Sequence, residues 1–386
     1  MKKALLYIAL AAAGCSTSAA ATGIDELAAS IARRNPDYVQ ALSRREASLL
    51  SMRASDALPA PEIEGEYLWG PAGDNRWGAG VSQSFDWPGV YGARARARQA
   101  ESNAFEQLSA TELRELTLAA KQALIDLVAA RRQAAVIALI YNNVCALNEF
   151  MQNAFDHGQA TVLDLRKVQL EKLELENRIE EVEQARTQAI AALRAMGHND
   201  TVPGTLDYPA ERPLYSNAAE RWRRSPAVMA AEAATRAAMA REQEARRSSL
   251  PGFSLGYRHQ YEGGNHFNGI TAGITLPAWG SRSGRRAAAA EAQAAALAAQ
   301  SVEAASDARY RAALEQLQRL EQRRRAYSEV VEASDYPTLL MKMLDGGQMT
   351  VLTYIQELNF YIETTLAREE TERRYQLALA EFNIWD

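Results

Sequence analysis

The sequence predicts a mainly α fold with a small β part, built as a duplicated helix–β-hairpin–long helical hairpin. Three observations predict it. Asp156-His-Gly158-Gln159-Ala-Thr161-Val162-Leu163 and Asp345-Gly-Gly347-Gln348-Met-Thr350-Val351-Leu352 agree at six of eight positions, 189 residues apart. Pro36 to Pro61 and Pro226 to Pro251 each span 25 residues, and Tyr67 and Tyr257 each follow the second proline by six. In both halves the hydrophobic period changes from helical to strict alternation and back. A duplication of this kind governs the reading of every other segment.

The N-terminus reads as a signal peptide over residues 1–21. Lys2 and Lys3 form a basic start, and the apolar run Ala4 to Ala13 is too short to span a bilayer. Ala12-Ala13-Gly14-Cys15 resembles the lipobox of bacterial lipoproteins, in which the cysteine becomes the lipidated first residue; cleavage near Ala19-Ala20-Ala21 is the alternative. The only other cysteine is Cys145, so no disulfide framework and no cysteine-based metal site is available. A net charge of −5 over 386 residues argues against a nucleic-acid partner, which would require a basic face. After the signal there is no apolar run long enough for a transmembrane helix.

The first repeat covers residues 24–200. Helical patterns over Ile24–Arg34 and Pro36–Ala57 lead into a β-hairpin at about 62–87. There Ile63, Tyr67 and Trp69 share one face and Glu62, Glu64 and Glu66 the other. Gly70-Pro-Ala-Gly-Asp-Asn75 is a turn signal. Trp77, Ala79, Val81 and Phe85 then alternate with Gly78, Gly80, Ser82 and Ser84. A helical hairpin follows at about 93–196. Its first arm, from about Ala93 to His157, is roughly 95 Å of helix at 1.5 Å per residue, far beyond a globular helix.

A linker over 201–216 separates the second repeat, 217–386. Its β-hairpin, at about 252–277, alternates Phe253, Leu255, Tyr257, His259 and Tyr261 with Ser254, Gly256, Arg258 and Gln260. Ile270, Ala272, Ile274 and Leu276 repeat the alternation, and a second helical hairpin fills about 285–385. The Ala-rich first arm is expected to run unbroken to about Leu344.

Each duplicated motif falls between two helices. Gly158 and Gly347 suit the left-handed residue that ends a helix. Thr161 and Thr350 suit the N-cap of the next, and Asp164 stands at capping-box spacing after Thr161. The plain alternative is a turn and nothing more, but two copies of mere punctuation are free to diverge.

Physically, four amphipathic strands cannot close on themselves and would expose both edges and an apolar face. Apolar-out, polar-in alternation is the signature of an outer-membrane barrel. Helical hairpins of this length cannot bury their own apolar faces either. A symmetric oligomer sharing one barrel and one helical tube meets both demands. In that arrangement Glu62, Glu64, Glu66 and Arg258 face the barrel lumen, and repetition of the glutamates would make an acidic pore mouth.

The duplicated plan resembles the TolC family of outer-membrane efflux channels. The Gly-Gln-x-Thr-Val-Leu turns, with Asp164, are similar to the family's periplasmic-tip motif, Val-Gly-x-x-x-x-x-Asp. Pro61-Glu-Ile-Glu and Ser82-Gln-Ser-Phe-Asp-Trp-Pro-Gly89 followed by Gly92-Ala-Arg94 resemble the strand edges of its cation-efflux branch. The resemblance implies a homotrimer with a 12-stranded outer-membrane barrel continuous with a periplasmic α-helical barrel. It also implies a lipid-embedded barrel and a periplasmic adaptor (membrane fusion) protein docked at the tips. Those tip turns comprise Gly158, Gln159, Thr161, Leu163, Asp164, Gly347, Gln348, Thr350 and Leu352. An inner-membrane resistance-nodulation-division transporter would drive export. Where the family closes its channel with acidic rings, this chain has Thr353 and Gln356 as gate candidates.

No catalytic constellation, cofactor motif or metal site is expected. His157, His198, His259 and His266 lack metal-ligand spacing, and no nucleophile elbow or P-loop stands out. A periplasmic coiled-coil scaffold is the competing class; it has no use for two hairpins with aromatic apolar faces.

Overall fold

The computed structural model describes residues 23–55, 57–70, 75–277, 281–331 and 336–385. Residues 1–21, read above as a signal peptide, and with them Cys15 lie outside the described residues, as do positions 71–74 of the first hairpin turn.

Helices α1 (Ile24–Arg34) and α2 (Pro36–Ser55) lead into strands β1 (Glu62–Leu68) and β2 (Arg76–Phe85). Then α3 (Pro88–Asp156), 69 residues long, turns back into α4 (Val162–Ala195). The long helix starts earlier than the expected Ala93 because Pro88 supplies its first position, where a missing N–H costs nothing. The second half contributes α5 (Ala218–Arg223), α6 (Pro226–Arg247), β3 (Gly252–Glu262) and β4 (Asn265–Thr275). It ends with α7 (Ser281–Val331), α8 (Tyr336–Asp345) and α9 (Val351–Phe382). The Ala-rich arm expected to run unbroken to about Leu344 is thus described as α7 and α8; residues 332–335, across which its continuity was expected, lie outside the described residues. Pro337 stands at the second position of α8.

Among the described residues the fold is mostly helical with one small antiparallel sheet, as expected. α3 packs along α6 and along α4, and α7 packs along α6 and α9. Two apolar cores result. One gathers Ile24, Ile31, Leu124, Leu127, Leu193, Trp222, Leu317, Leu379 and Phe382 where α1, α3, α4, α5, α7 and α9 meet. Trp222 on the short α5, an element not foreseen, is 2% exposed and donates its indole N–H to the Phe382 carbonyl at 3.3 Å. The other core runs towards the hairpin turns and includes Ile137, Val144, Val168, Leu175, Leu340, Tyr354 and Leu358.

The sheet order is β1-β2-β3-β4, with every neighbour antiparallel. The central β2–β3 pairing joins the two repeats, from Arg76↔Glu262 to Phe85↔Phe253. Partners across the ladder share a face, so register sorts the side chains. Ile63, Val81, Tyr257 and Ile270 lie in one row of one face. Glu64, Gly80, Arg258 and Gly269 lie in a row of the other. The apolar face is uncovered: Ile63 is 84% exposed, Ile270 80% and Ile274 75%.

Candidate functional site: the duplicated turns and the open sheet

The first turn is built from the end of α3. Gly158 sits at φ +70°, the left-handed region that glycine enters without steric penalty. This lets Gln159 N donate to Ala154 O at 2.7 Å and Gly158 N to Phe155 O at 2.9 Å, which satisfies two orphan carbonyls of the helix end. Thr161, at φ −83° and ψ 154°, then caps α4 by accepting from Asp164 N at 3.2 Å, while its hydroxyl donates to Asp164 Oδ2 at 2.6 Å.

The second turn repeats this closely. Gly347 has φ +68°; Gln348 N donates to Met343 O at 2.9 Å and Gly347 N to Leu344 O at 3.0 Å. Thr350, at φ −83° and ψ 157°, caps α9 by accepting from Thr353 N at 3.2 Å. The Thr350 and Thr353 hydroxyls lie 2.9 Å apart, so Thr353 stands where Asp164 stands in the first copy. Gln356 is one turn further along the exposed side of α9, opposite the buried Tyr354, Ile355 and Leu358.

The same glycine cap also closes α4, where Gly197 has φ +85° and His198 N donates to Leu193 O at 3.0 Å. The cap by itself is therefore ordinary. The surroundings differ. A Cβ on Gly197 would meet Pro36 Cδ at 3.0 Å, whereas a Cβ on Gly158 or Gly347 meets nothing within 4 Å. Beside the two open turns stand exposed apolar side chains, Leu163 at 68% and Leu352 at 39%.

On the polar face of the sheet, Glu62, Glu64 and Glu66 do project together, but the acidic character expected of that face is diluted. Gly80 has no side chain, and Arg258 reaches across β2 to Glu64, Nη2 to Oε2 at 3.1 Å. Arg76 pairs with Glu262 in the same layer. Of the three glutamates, Glu64 is thus paired with an arginine from the second repeat.

The histidines divide. His157 Nδ1 lies 2.7 Å from Asn153 O within the first turn, and His198 belongs to the α4 cap. His259 and His266 are brought together on the apolar face, with His266 Nδ1 3.2 Å from His259 Nε2. Spacing along the chain does not reveal this contact; the β3–β4 register does.

No family model matches the chain, and no curated protein matches it by sequence. Solved structures do match. A membrane protein from Pseudomonas aeruginosa is 20% identical with a TM-score of 0.78, over 94% of this chain and 93% of that one. CusC, whose structures describe folding and transmembrane channel formation, is 16% identical with a TM-score of 0.79, over 94% and 91%. The open state of the Neisseria gonorrhoeae MtrE outer membrane channel is 18% identical with a TM-score of 0.74, over 94% and 88%. This chain has the outer-membrane channel fold. The expectation of a TolC-like fold is borne out.

Proposed function

We propose that the chain is a TolC-family outer-membrane channel, the passive exit duct of a tripartite efflux pump in a Gram-negative bacterium. The observation that carries the reading is the apolar sheet face, left uncovered on a chain with the outer-membrane channel fold. Three copies of four strands would close a 12-stranded barrel, turning that face to lipid and Glu62, Glu64, Glu66 and Arg258 to the lumen. The helices would form a periplasmic tube, and Cys15 would carry a lipid anchor. The two tips, with Gly158, Gln159, Thr161, Leu163 and Asp164 in one and Gly347, Gln348, Thr350 and Leu352 in the other, would dock a periplasmic adaptor coupled to an inner-membrane transporter. A constriction at Thr353 and Gln356 would be uncharged. Heavy-metal cations are the proposed cargo, with a drug-efflux or type I secretion duct as the alternative. The reading includes no enzymatic activity and no cofactor. A periplasmic coiled-coil scaffold fits less well, since it leaves the uncovered sheet face without a purpose.

Fractionation of cells expressing the full chain tests this. The protein is expected in detergent-extracted outer membrane as a heat-sensitive trimer, and a deletion strain is expected to become sensitive to toxic cations. Recovery as a soluble periplasmic monomer overturns the reading.

A further inference from the structure

The β3–β4 hairpin holds a constellation that export does not use. Gly263 and Gly264, at φ +56° and +87°, form the tight turn, which sets the register of the two strands. In that register His259 lies opposite Asn268, and His266 opposite Tyr261. The two histidines are therefore diagonal neighbours on one face, with ring centroids 5.3 Å apart.

We propose that His259 and His266 form a two-imidazole binding site for a divalent transition-metal ion of the kind that favours nitrogen ligands, Cu²⁺, Ni²⁺ or Zn²⁺. Three features support it. First, two ligands about 2.0–2.1 Å from a tetrahedral metal stand about 3.3 Å from each other; the facing nitrogens here are 3.2 Å apart. Second, the tautomer of His259 is set from behind. Its Nδ1–H donates to Asn268 Oδ1 at 2.8 Å, and that oxygen also accepts from the Tyr257 hydroxyl at 2.7 Å. Nε2 is left with a lone pair facing His266. A hydrogen bond from the non-ligating nitrogen to a fixed oxygen is how proteins orient a metal-binding histidine. Third, aromatic rings flank the pair: Trp77 lies 5.4 Å from His259 and Tyr261 5.0 Å from His266, centroid to centroid. His266 is exposed and is the second residue of β4, beside the Gly263-Gly264 turn at the end of the sheet, so an ion can reach it from the rim even where the face below meets lipid.

Binding replaces a proton by the metal without net loss of a proton. His266, which donates Nδ1–H to His259 Nε2, moves that proton to Nε2 and ligates through Nδ1. Water completes the coordination shell. The site needs only the folded hairpin and does not depend on the sheet closing into a barrel.

Titration of the purified full chain in detergent with Cu²⁺, followed by calorimetry and electron paramagnetic resonance, tests the proposal. The expected result is one ion per chain with two nitrogen donors, lost in both His259→Gln and His266→Gln and retained in His157→Gln. Asn268→Leu is expected to weaken binding about 10–100-fold by releasing the His259 ring. Circular dichroism of each variant separates loss of the site from loss of the fold. Should a variant unfold, Zn²⁺ protection of His259 and His266 from diethylpyrocarbonate in the wild-type chain gives the same decision. Unchanged stoichiometry in the folded His259 and His266 variants, equal loss in the His157 variant, or no protection overturns the site.

Discussion

Gly158 and Gly347 are held by backbone conformation and not by crowding, since a side chain at either would point into open space. Replacing both with tryptophan places L-residues in the left-handed region, at roughly 1–2 kcal/mol each, and puts a large ring where an adaptor would approach. Under the proposed function the trimer is expected to assemble, because the sheet and most helix packing are distant, while resistance and adaptor crosslinking at the tips are lost. A double variant that crosslinks and confers resistance like the parent would reduce the turns to punctuation. Glu171 on α4 offers a second test. Burial raises its pKa, against the opposing hydrogen bond from Asn359 Nδ2 at 2.8 Å. A carboxyl raised on folding disfavours the folded state once ionised. The penalty is absent below its ordinary value, grows as pH rises through the window up to the raised value, and is fully present above it. Glu171→Gln, which can still accept from Asn359, is expected to match the parent in acid and to exceed its thermal stability at neutral pH. Parallel melting curves from acid to neutral pH check this.

At the scale of the element, the sheet depends on glycines at particular faces. A Cβ on Gly256 would meet Val81 O and Thr271 Oγ1 at 2.7 Å, contacts made by the strands on either side. A Cβ on Gly65, on the apolar face of β1, meets nothing within 4 Å. Gly256→Val is therefore expected to break the β2–β3–β4 ladder and abolish outer-membrane insertion, while Gly65→Val inserts normally. Heat-modifiable migration in gels reads both. The strands themselves were legible in the sequence because alternation is a property of consecutive residues. Their order was not, because the β2–β3 pairing joins segments more than 160 positions apart.

For the whole molecule, one sheet face meets lipid under the proposed function and the other meets water. Ile270 and Thr271 are adjacent on β4 and point to opposite faces. Ile270→Lys places a charge against hydrocarbon, at about 2–4 kcal/mol near the bilayer midplane, and three copies would bear it in each trimer. Reduced insertion is expected for Ile270→Lys and normal insertion for Thr271→Lys, measured by membrane fractionation. Equal insertion of the two would contradict the assignment of faces.

The sequence by itself determined the duplication, the two hairpins, the helix turns with their glycine caps, and the division of each strand into apolar and polar sides. The duplication shows because two segments of one chain can be compared residue by residue; the others depend on neighbours within about one turn of helix or one strand, where steric and hydrogen-bonding preferences act directly. Only the tertiary structure decided that Arg258 pairs with Glu64, that Trp222 on a six-residue helix anchors a core, and that His259 meets His266. These are contacts between separate elements. They are set by strand register and helix packing, which depend on the joint burial of many side chains and leave no trace in local spacing.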